Sequence, residues 1–570
     1  MCGIFAAVCP ETNIVTRLAD GLNYLSYRGY DSVGVCLQHP SGFVIEKALG
    51  TAKNLPLQNK TASCGMGHSR WATHGKISLS NAHPHVSKQS VAVVHNGIIN
   101  NHSTIRANLE RKNYQFLSDT DSEVIVHLIH YYLSLGETPL EALALAQKEL
   151  CGRYAFVVML ADHPNTIYAT TQDMPLMLGQ SDEGVYIASD LTALQHCNTY
   201  ARPKNKTPFS ICAHGLPKCL TQLPIPKQLP AFRTKAPDSC RTLQEIYSQE
   251  YIPSRIISHW EQLSKPCFPH QPKSVLVIAC GSSFHCGLIF KNWLLGSGIN
   301  CTVEVASELK ELSFTDMPET LIIAISQSGE TADTLLSLDK ALKHRHFSSI
   351  AITNTPSSSM AHLCEHIIPI LVGPEIGVAS TKAVTGQLMC LYLLLTQLTP
   401  SLPLPPPNLG DVIRASLKTP LHDVAESVSR YKSILCLGKR SLLPIALEFA
   451  LKLKELTYIH AEAIPAGELK HGPLALIDNS ILCIVLDDRD CPYIQTRICE
   501  IKARGGMVFL LTQANGFSEA DEIIHIPTCS GHLSILALNT VCQLLAYHTA
   551  FILDRPIDTP RNLAKSVTVE

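Results

Sequence analysis

Two kinds of apolar pattern divide the chain. In the C-terminal two-thirds, unbroken apolar runs such as "KSVLVIA" and "KSILCL" meet glycine and small polar residues, then give way to helical periodicity. A run apolar at every position suits a parallel strand covered on both faces, and the Gly turn into a helix completes a strand–turn–helix unit. The unit occurs twice, with Gly281 and Gly438 about one domain length apart, and each copy carries a further apolar run, "TLIIAIS" or "SILCIVL". This repeat predicts two tandem doubly wound parallel α/β domains, 263–398 and 425–555, joined through the proline-rich segment 399–424.

The first third alternates differently. "YLSYRGYDSVGV" predicts a helix end, a turn at Gly29 and a strand start, and "GHSRWATHGKIS" (67–78) predicts a polar loop. Ser90 to Val94 predicts a strand directly before Asn96 and Gly97, and "SDTDSEVIVHLI" predicts Asp and Thr caps before a helix. Val157–Leu160 and Thr166–Thr170 predict strands joined by a Pro-Asn turn. With no Gly-rich phosphate loop, the pattern suits a sheet sandwich with helical layers outside. Its end is expected near Pro224, giving a domain of 2–224, a linker of 225–262 and a tail of 556–570.

Composition narrows the class. At 570 residues the chain has room for about four domain-sized units. Hydrophobic residues are 46% and charged residues 16%, so large cores can form and wholesale disorder is excluded. A net charge of −2 leaves no global basic surface for nucleic acid. The 21 cysteines contain no CxxC pair and sit in a chain long enough to fold on apolar burial alone. Most therefore read as small buried hydrophobes in a reducing cytoplasm. "MCGIFAAVCP" lacks the basic start of a signal peptide, and the apolar run Leu388–Leu398 is shorter than the ~20 residues that span a bilayer. No membrane is expected as a partner.

One cysteine is placed differently. Removal of Met1 would make Cys2 the first residue, with its own α-amine as general base. Arg70, Trp71 and His74 share one loop, Asn96–Gly97 follow a strand, and Asp121 opens a helix. Together they offer a nucleophile, an oxyanion-holding amide, a guanidinium and a carboxylate. Further on, "SQSGETADT" lies where a strand end meets a helix start, and Ser326, Gln327, Ser328 and Thr331 there suit a phosphomonoester. Ser282 and Ser283 in "ACGSS" and the polar turn "GVASTKA" add two more polar mouths, so a sugar-phosphate pocket is expected. GxxxxGK[ST] is absent, so ATP is not indicated. In "IALEFALKLKEL", Glu448, Lys452 and Glu455 share one helix face.

The first constellation resembles the glutamine amidotransferases with an N-terminal nucleophile, and the later segments resemble sugar-isomerase (SIS) domains. In order and wording the motifs resemble the glutamine–fructose-6-phosphate aminotransferase (isomerising) family over nearly the whole chain, in its bacterial form, since a long glutaminase insertion is lacking. The resemblance implies an Ntn αββα glutaminase domain in which Cys2 attacks the glutamine amide. Asn96 and the Gly97 N–H would form the oxyanion hole. Arg70 would grip the substrate α-carboxylate and Asp121 its α-ammonium, with Arg28 and His74 in the same glutamine site. Trp71 would gate an ammonia channel. Ser282, Ser283, Ser326, Gln327, Ser328, Thr331, Val378 and Ser380 would hold fructose 6-phosphate, supported by Glu448.

By the same resemblance Glu455 would shuttle a proton between C1 and C2 beside the Lys452 cation. His471, given by the partner subunit of a homodimer, would open the sugar ring. Lys565 would form a Schiff base with the open-chain ketose, and burial or a nearby positive charge is expected to favour its neutral amine. The product would be glucosamine 6-phosphate, the entry to amino-sugar synthesis, with no metal, nucleotide or pyridoxal cofactor. Ser282 stands where the family often has Thr, and "RTLQEIYSQEYIP" departs from the usual linker wording. Two other readings fit the residues less well. A phosphoribosyl-pyrophosphate amidotransferase would need a Gly-Thr-Thr loop where Arg489, Asp490, Cys491 and Pro492 stand. A sugar-phosphate sensor with an inactive glutaminase would not need Cys2, Asn96, Glu455, His471 and Lys565 together.

Overall fold

In the strand Gly3–Val8 all six residues are buried, because the strand lies between two apolar layers. Ile4, Ala6 and Val8 face a core shared with Met66, Val94 and Val157, whereas Phe5 and Ala7 face Leu18 and Leu22 of the helix Val15–Tyr24. The computed structural model describes residues 2–213, 215–217, 219–223, 240–260, 266, 268, 270–488, 491–515, 519–529 and 531–567. The boundary expected near Pro224, residues 225–239 and 261–262 of the linker that follows, and Arg489 and Asp490 lie outside the described residues. The chain divides into an N-terminal unit, up to residue 227 with 566–570, and a C-terminal unit of 228–565.

The N-terminal unit pairs an eight-stranded sheet with a five-stranded one. In the first, Gly3–Val8 runs between Cys64–Arg70 and Gly184–Ala188; in the second, Val91–Ile99 runs between His85–Ser87 and Gly152–Leu160. These pairings are antiparallel, and the helices Glu123–Ser134 and Pro139–Glu149 cover the outer face of the second sheet through Ile125, Ile129 and Leu143. The layers are thus αββα.

Several local expectations shift. The strand at Val91 continues through Asn96 and Gly97, which pair with Ala155 and Tyr154. The loop expected from Gly67 begins only after Arg70, since Gly67 is a strand residue over which Leu22 packs; a Cβ there would lie 2.7 Å from the leucine methyl. Gly29 is extended rather than turning, with φ of −170°. The helix after Asp121 starts at Glu123 without a side-chain cap bond from Ser122, and the Glu123 carboxylate instead accepts from the N–H groups of Leu117 and Ser118.

The C-terminal unit contains two parallel five-stranded sheets of identical order. In the first, Ser274–Ala279 lies between Asn300–Val305 and Met317–Ile325, followed by His346–Thr353 and His366–Pro369. In the second, Ser433–Gly438 lies between His460–Pro465 and Ile481–Asp487, followed by Met507–Thr512 and Glu522–His525. The 2-1-3-4-5 order is that of doubly wound domains, which bind ligands at the strand C-termini. The helices Lys382–Leu398, Leu442–Thr457 and Ile535–Ile552 share one core drawn from both halves. Residues read from the sequence as linker also enter it: Ile246, Ile252, Ile256 and Trp260 from the helices Arg241–Tyr247 and Ile252–Trp260, and Ile413 from the helix Leu409–Ser416. The segment His532–Ile552 is long and apolar enough to cross a bilayer, a run the sequence reading passed over, but 83% of it is buried inside the unit as a core helix.

Candidate functional sites

Cys2 precedes the central strand of the first sheet. Its Sγ accepts the Trp71 N–H at 3.3 Å and lies 3.5 Å from the Trp71 carbonyl, while the buried Arg28 donates to the Cys2 carbonyl at 3.3 Å. Asp190 holds Arg28 from the other side at 3.5 Å. Burial pushes the Cys2 thiol above its ordinary value, against the pull of the Trp71 N–H and the Arg70 guanidinium, so the thiolate needs a base. Trp71 packs edge-on against Tyr30 with ring centres 5.4 Å apart.

Asn96 reaches this region through a residue that motif reading missed. The Ser189 hydroxyl accepts both the Asn96 amide N–H at 2.8 Å and the Ile4 N–H at 2.7 Å, which ties Asn96 to a point two residues from Cys2. On its other side the Asn96 Oδ1 accepts from His68 Nε2 at 3.1 Å, and the His95 carbonyl accepts from the same nitrogen at 2.8 Å. Both acceptors are carbonyl oxygens, so Nε2 carries the proton and the amide is fixed with its NH₂ toward Ser189. Burial lowers the His68 imidazole to about 3, keeping it neutral. Gly97 has φ of +126°, and a Cβ there would stand 2.1 Å from the Arg153 carbonyl, so only glycine fits. Asp121 accepts the Ile99 N–H at 2.8 Å. Arg70, buried, donates to the carbonyls of His74 at 2.5 Å and Lys76 at 3.4 Å; the His74 ring packs edge-on against His102.

In the C-terminal unit the helix Leu442–Thr457 brings the predicted trio together. Lys452 lies 2.5 Å from Glu455 and 3.4 Å from Glu448, with 1% of its side chain exposed. Ser282, at the start of the helix Gly281–Trp293 in the other half, donates to Glu448 at 2.9 Å and accepts from Lys452 at 3.3 Å. His285, one turn further along that helix and not anticipated, donates from Nδ1 to the second Glu448 oxygen at 2.8 Å. Burial works to raise the Glu448 carboxyl, but Lys452, His285 and Ser282 hold it below its ordinary value. Burial likewise opposes the Lys452 charge, and the two glutamates hold its ammonium above the ordinary value.

The other predicted sugar residues line strand ends of the first sheet. Ser326 and Thr331 share a hydroxyl–hydroxyl bond of 2.8 Å, the Gly329 N–H donates to Ser326, and the Glu330 N–H donates to Ser328. The Gln327 carbonyl accepts from the Asn354 N–H. Ser283 accepts from the Gln387 side chain at 3.0 Å. Ser380 donates to Glu375, whose carboxylate also accepts the N–H groups of Thr381 and Ala383 and lies 2.5 Å from the Lys565 ammonium. The tail lysine is therefore buried, but its direct partner is a carboxylate, opposite in sign to the neighbour expected to free its amine; Lys382, also buried, supplies the positive charge nearby. Glu245 accepts from the N–H groups of Ile376 and Gly377 in the same loop, and burial followed by the Glu375 charge raises its carboxyl to about 7. His471 is exposed just after the short turn Glu468–Lys470, and among the described residues it bonds to none of these groups. No group of three or more His, Cys, Asp or Glu suited to a metal occurs among the described residues.

Comparison with known proteins bears on both units. A glutamine amidotransferase domain profile matches residues 68–196, and an SIS domain profile matches 270–397 and 427–553. The chain is 38% identical over the full length of both chains to the glutamine–fructose-6-phosphate aminotransferases (isomerizing) of Pseudomonas syringae pv. tomato and Acinetobacter baylyi. It is 37% identical, again at full length, to that of Legionella pneumophila. Among solved structures, the C-terminal domain of glucosamine-fructose-6-phosphate aminotransferase from Francisella tularensis aligns with a TM-score of 0.52 at 32% identity, covering 56% of this chain and 98% of that one. Tagatose-6-phosphate ketose/aldose isomerase from Escherichia coli, at 20% identity, 58% and 98% coverage and a TM-score of 0.50, shares the fold. With both kinds of domain matched and relatives aligned end to end, the chain belongs to the glutamine–fructose-6-phosphate aminotransferase (isomerizing) family.

Proposed function

We propose that the chain transfers the amide nitrogen of L-glutamine to D-fructose 6-phosphate and isomerises the product to D-glucosamine 6-phosphate, releasing L-glutamate. The observation that carries this reading is that one chain holds both a thiol bonded to a loop N–H beside a fixed amide, at Cys2 and Asn96, and a buried lysine at a carboxylate-lined sugar pocket, at Lys565.

In the N-terminal unit the Cys2 sulfur attacks the side-chain carbonyl carbon of glutamine. The α-amine exposed by removal of Met1 takes the thiol proton and passes it to the departing nitrogen, so ammonia leaves and a γ-glutamyl thioester remains. The second Asn96 N–H and the Gly97 N–H stabilise the tetrahedral oxyanion, a device worth ~10²–10³ in rate per donor. Water then releases glutamate. Arg70 and Asp121 read the two ends of the amino acid, with Arg28 and His74 bracing the same site, and Trp71 gates the ammonia.

In the C-terminal unit Ser282, Ser283, Ser326, Gln327, Ser328, Thr331, Val378 and Ser380 hold the sugar phosphate, which His471 of the partner subunit opens. Proton transfer from the Lys565 ammonium to Glu375 frees the amine, which forms an imine at C2 with loss of water. Ammonia displaces the lysine to leave the sugar imine. Glu455 then takes a proton from C1 and returns it at C2 while the C1 hydroxyl proton passes to the nitrogen, giving the aldose with an amine on C2; Lys452 and Glu448 stabilise the charge that develops. The domains are 2–224, 263–398 and 425–555, followed by a catalytic tail of 556–570, and the working form is a cytoplasmic homodimer. Incubation of the purified, Met1-processed protein with glutamine and fructose 6-phosphate should yield glucosamine 6-phosphate by mass spectrometry. No product would overturn the proposal.

A further inference from the structure

The segment that carries Lys565 leaves the core helix at Ile552 and has no helix or strand over the described residues 553–567, so its position depends on side-chain fastenings. Ile557 packs into the core, and three polar fastenings accompany it. Arg561 donates its N–H to the Tyr458 hydroxyl at 2.8 Å, and the guanidinium groups of Arg561 and Arg555 lie 4.4 and 5.2 Å from the Tyr458 ring centre. Tyr458 is the left-handed cap that ends the helix of Glu448, Lys452 and Glu455. Lys565 meets Glu375. Between them stands Asp558, whose carboxylate accepts four donors at the start of the helix Arg241–Tyr247: the N–H groups of Arg241 at 2.9 Å and Thr242 at 2.8 Å, the Thr242 hydroxyl at 2.7 Å and the Cys240 thiol at 3.4 Å. The Asp558 carbonyl accepts the Val378 N–H at 3.1 Å.

We infer that Asp558 is a positioning residue for Lys565: by capping the helix Arg241–Tyr247 it clasps the tail to the loop that holds Glu375 and Val378. Three features carry this. The carboxylate satisfies the unpaired donors of a helix start, where a negative charge is also favoured by the helix dipole. The capped helix returns the contact, because Glu245 on its next turn accepts the Ile376 and Gly377 N–H groups of the same loop. Close approach leaves no slack there: a Cβ on Gly377 would stand 2.5 Å from the Thr242 hydroxyl and 2.9 Å from Glu245. Asp558, Thr242 and Glu245 thus form one bracket around residues 375–378, and Lys565 is held seven residues beyond it. The inference rests on Lys565 as the imine-forming residue.

The test uses Asp558→Ala and Asp558→Asn in the full chain, with two readouts. Amide hydrogen exchange over 554–567 reports fastening whatever the chemistry. Borohydride reduction in the presence of fructose 6-phosphate, followed by peptide mass spectrometry, reports the imine on Lys565. Asp558→Ala should speed tail exchange roughly tenfold, the effect of losing one charge-assisted cap. It should slow trapping and raise the KM for fructose 6-phosphate by a similar factor, while glutaminase turnover stays within twofold. Asp558→Asn, which keeps the oxygen facing Thr242, should recover most of both. Tail exchange and trapping at wild-type rates in Asp558→Ala would overturn the inference. Absence of any adduct on wild-type Lys565 would overturn the imine reading instead, and exchange would still decide the clasp. If Asp558→Ala does not fold, Thr242→Val takes its place, with about threefold faster exchange expected and unchanged exchange refuting the clasp.

Discussion

Around Asn96 the polar supports are neutral, since His68 fixes it and Ser189 joins it to Ile4, while the ion pair of Arg28 and Asp190 holds the Cys2 carbonyl. Around the sugar pocket they are ionised and paired, Lys452 between Glu448 and Glu455, and Lys565 on Glu375. The chemistry accounts for the difference. A glutaminase must stabilise one transient oxyanion, and preorganised neutral dipoles do that without a permanent buried charge. An isomerase must lift and return protons, so acids and bases have to stay ionised inside the protein, and each charge then needs a partner.

Removing one reactive group from each side gives the largest contrast. Cys2→Ala should lower glutamine-dependent synthesis by at least ~10³-fold while sugar isomerisation survives, and Lys565→Ala should abolish synthesis while glutaminase turnover continues. Both are read by product mass spectrometry, and loss of both half-reactions in either variant would erase the division of labour.

Acid should separate the two regions next. Burial holds His68 and His85 at about 3 and His95 at about 4, against ~6.5 in an unfolded chain. Imidazoles kept neutral in the folded state favour folding fully above ~6.5, and that contribution is lost as pH falls toward those values. At pH 5 the three together should cost the fold a few kcal/mol, on the order of a factor of ten or more in stability. Glu448 and Glu375 are carboxyls held below their ordinary values, so their contribution persists at pH 5 and is lost only lower. Urea unfolding at pH 7 and 5, followed by pulse labelling, should weaken peptides from 64–99 well before those from 433–457. Equal weakening would contradict the contrast.

The sequence shows the reactive groups more readily than what holds them. Cys2 stands out by position, Asn96–Gly97 by a strand followed by an amide and a glycine, and the helix trio by its spacing. The twin sheets are legible because fully buried parallel strands read as unbroken apolar runs. Asn300–Val305 and His460–Pro465 escaped notice because they are half-exposed edge strands whose polar residues break the run. Ser189, His285, Glu375 and Glu245 had no local signal, since their meaning lies in contacts across the fold. His285 meets Glu448 163 positions away, Lys565 meets Glu375 190 positions away, and Ser189 meets Asn96 93 positions away. The helices at 241–260 were read as linker because their apolar residues answer to a core assembled mostly from later segments.

A smaller effect tests whether the ion pairs are structural as well as chemical. Lys452→Met removes the cation between two carboxylates, and leaves the almost wholly buried Glu448 with only its bonds from Ser282 and His285. Breaking such a pair from one side costs ~3–5 kcal/mol, so a clear fall in Tm is expected along with lost isomerisation. Lys452→Met combined with Glu448→Gln should regain part of the stability without the activity. If the single variant melts with the wild type, the network carries no folding energy and the contrast with the neutral site is purely catalytic.

The finest discrimination lies at His285, where a histidine serves an ionised network rather than a neutral one. Its Nδ1 donates to one Glu448 oxygen while Ser282 donates to the other, so the carboxylate is held from two directions with Lys452 beside it. His285→Leu removes one hold and keeps the bulk; His285→Asn keeps a donor. If orientation of Glu448 matters to proton movement at Glu455, the leucine variant should lose about tenfold in kcat/KM for fructose 6-phosphate, close to the strength of one hydrogen bond to a charged group. The asparagine variant should stay within about threefold, and glutaminase turnover should not change in either. Wild-type kcat/KM in the leucine variant would mean that the bond from His285 does not orient Glu448 for the reaction, and that Ser282 and Lys452 hold the carboxylate by themselves.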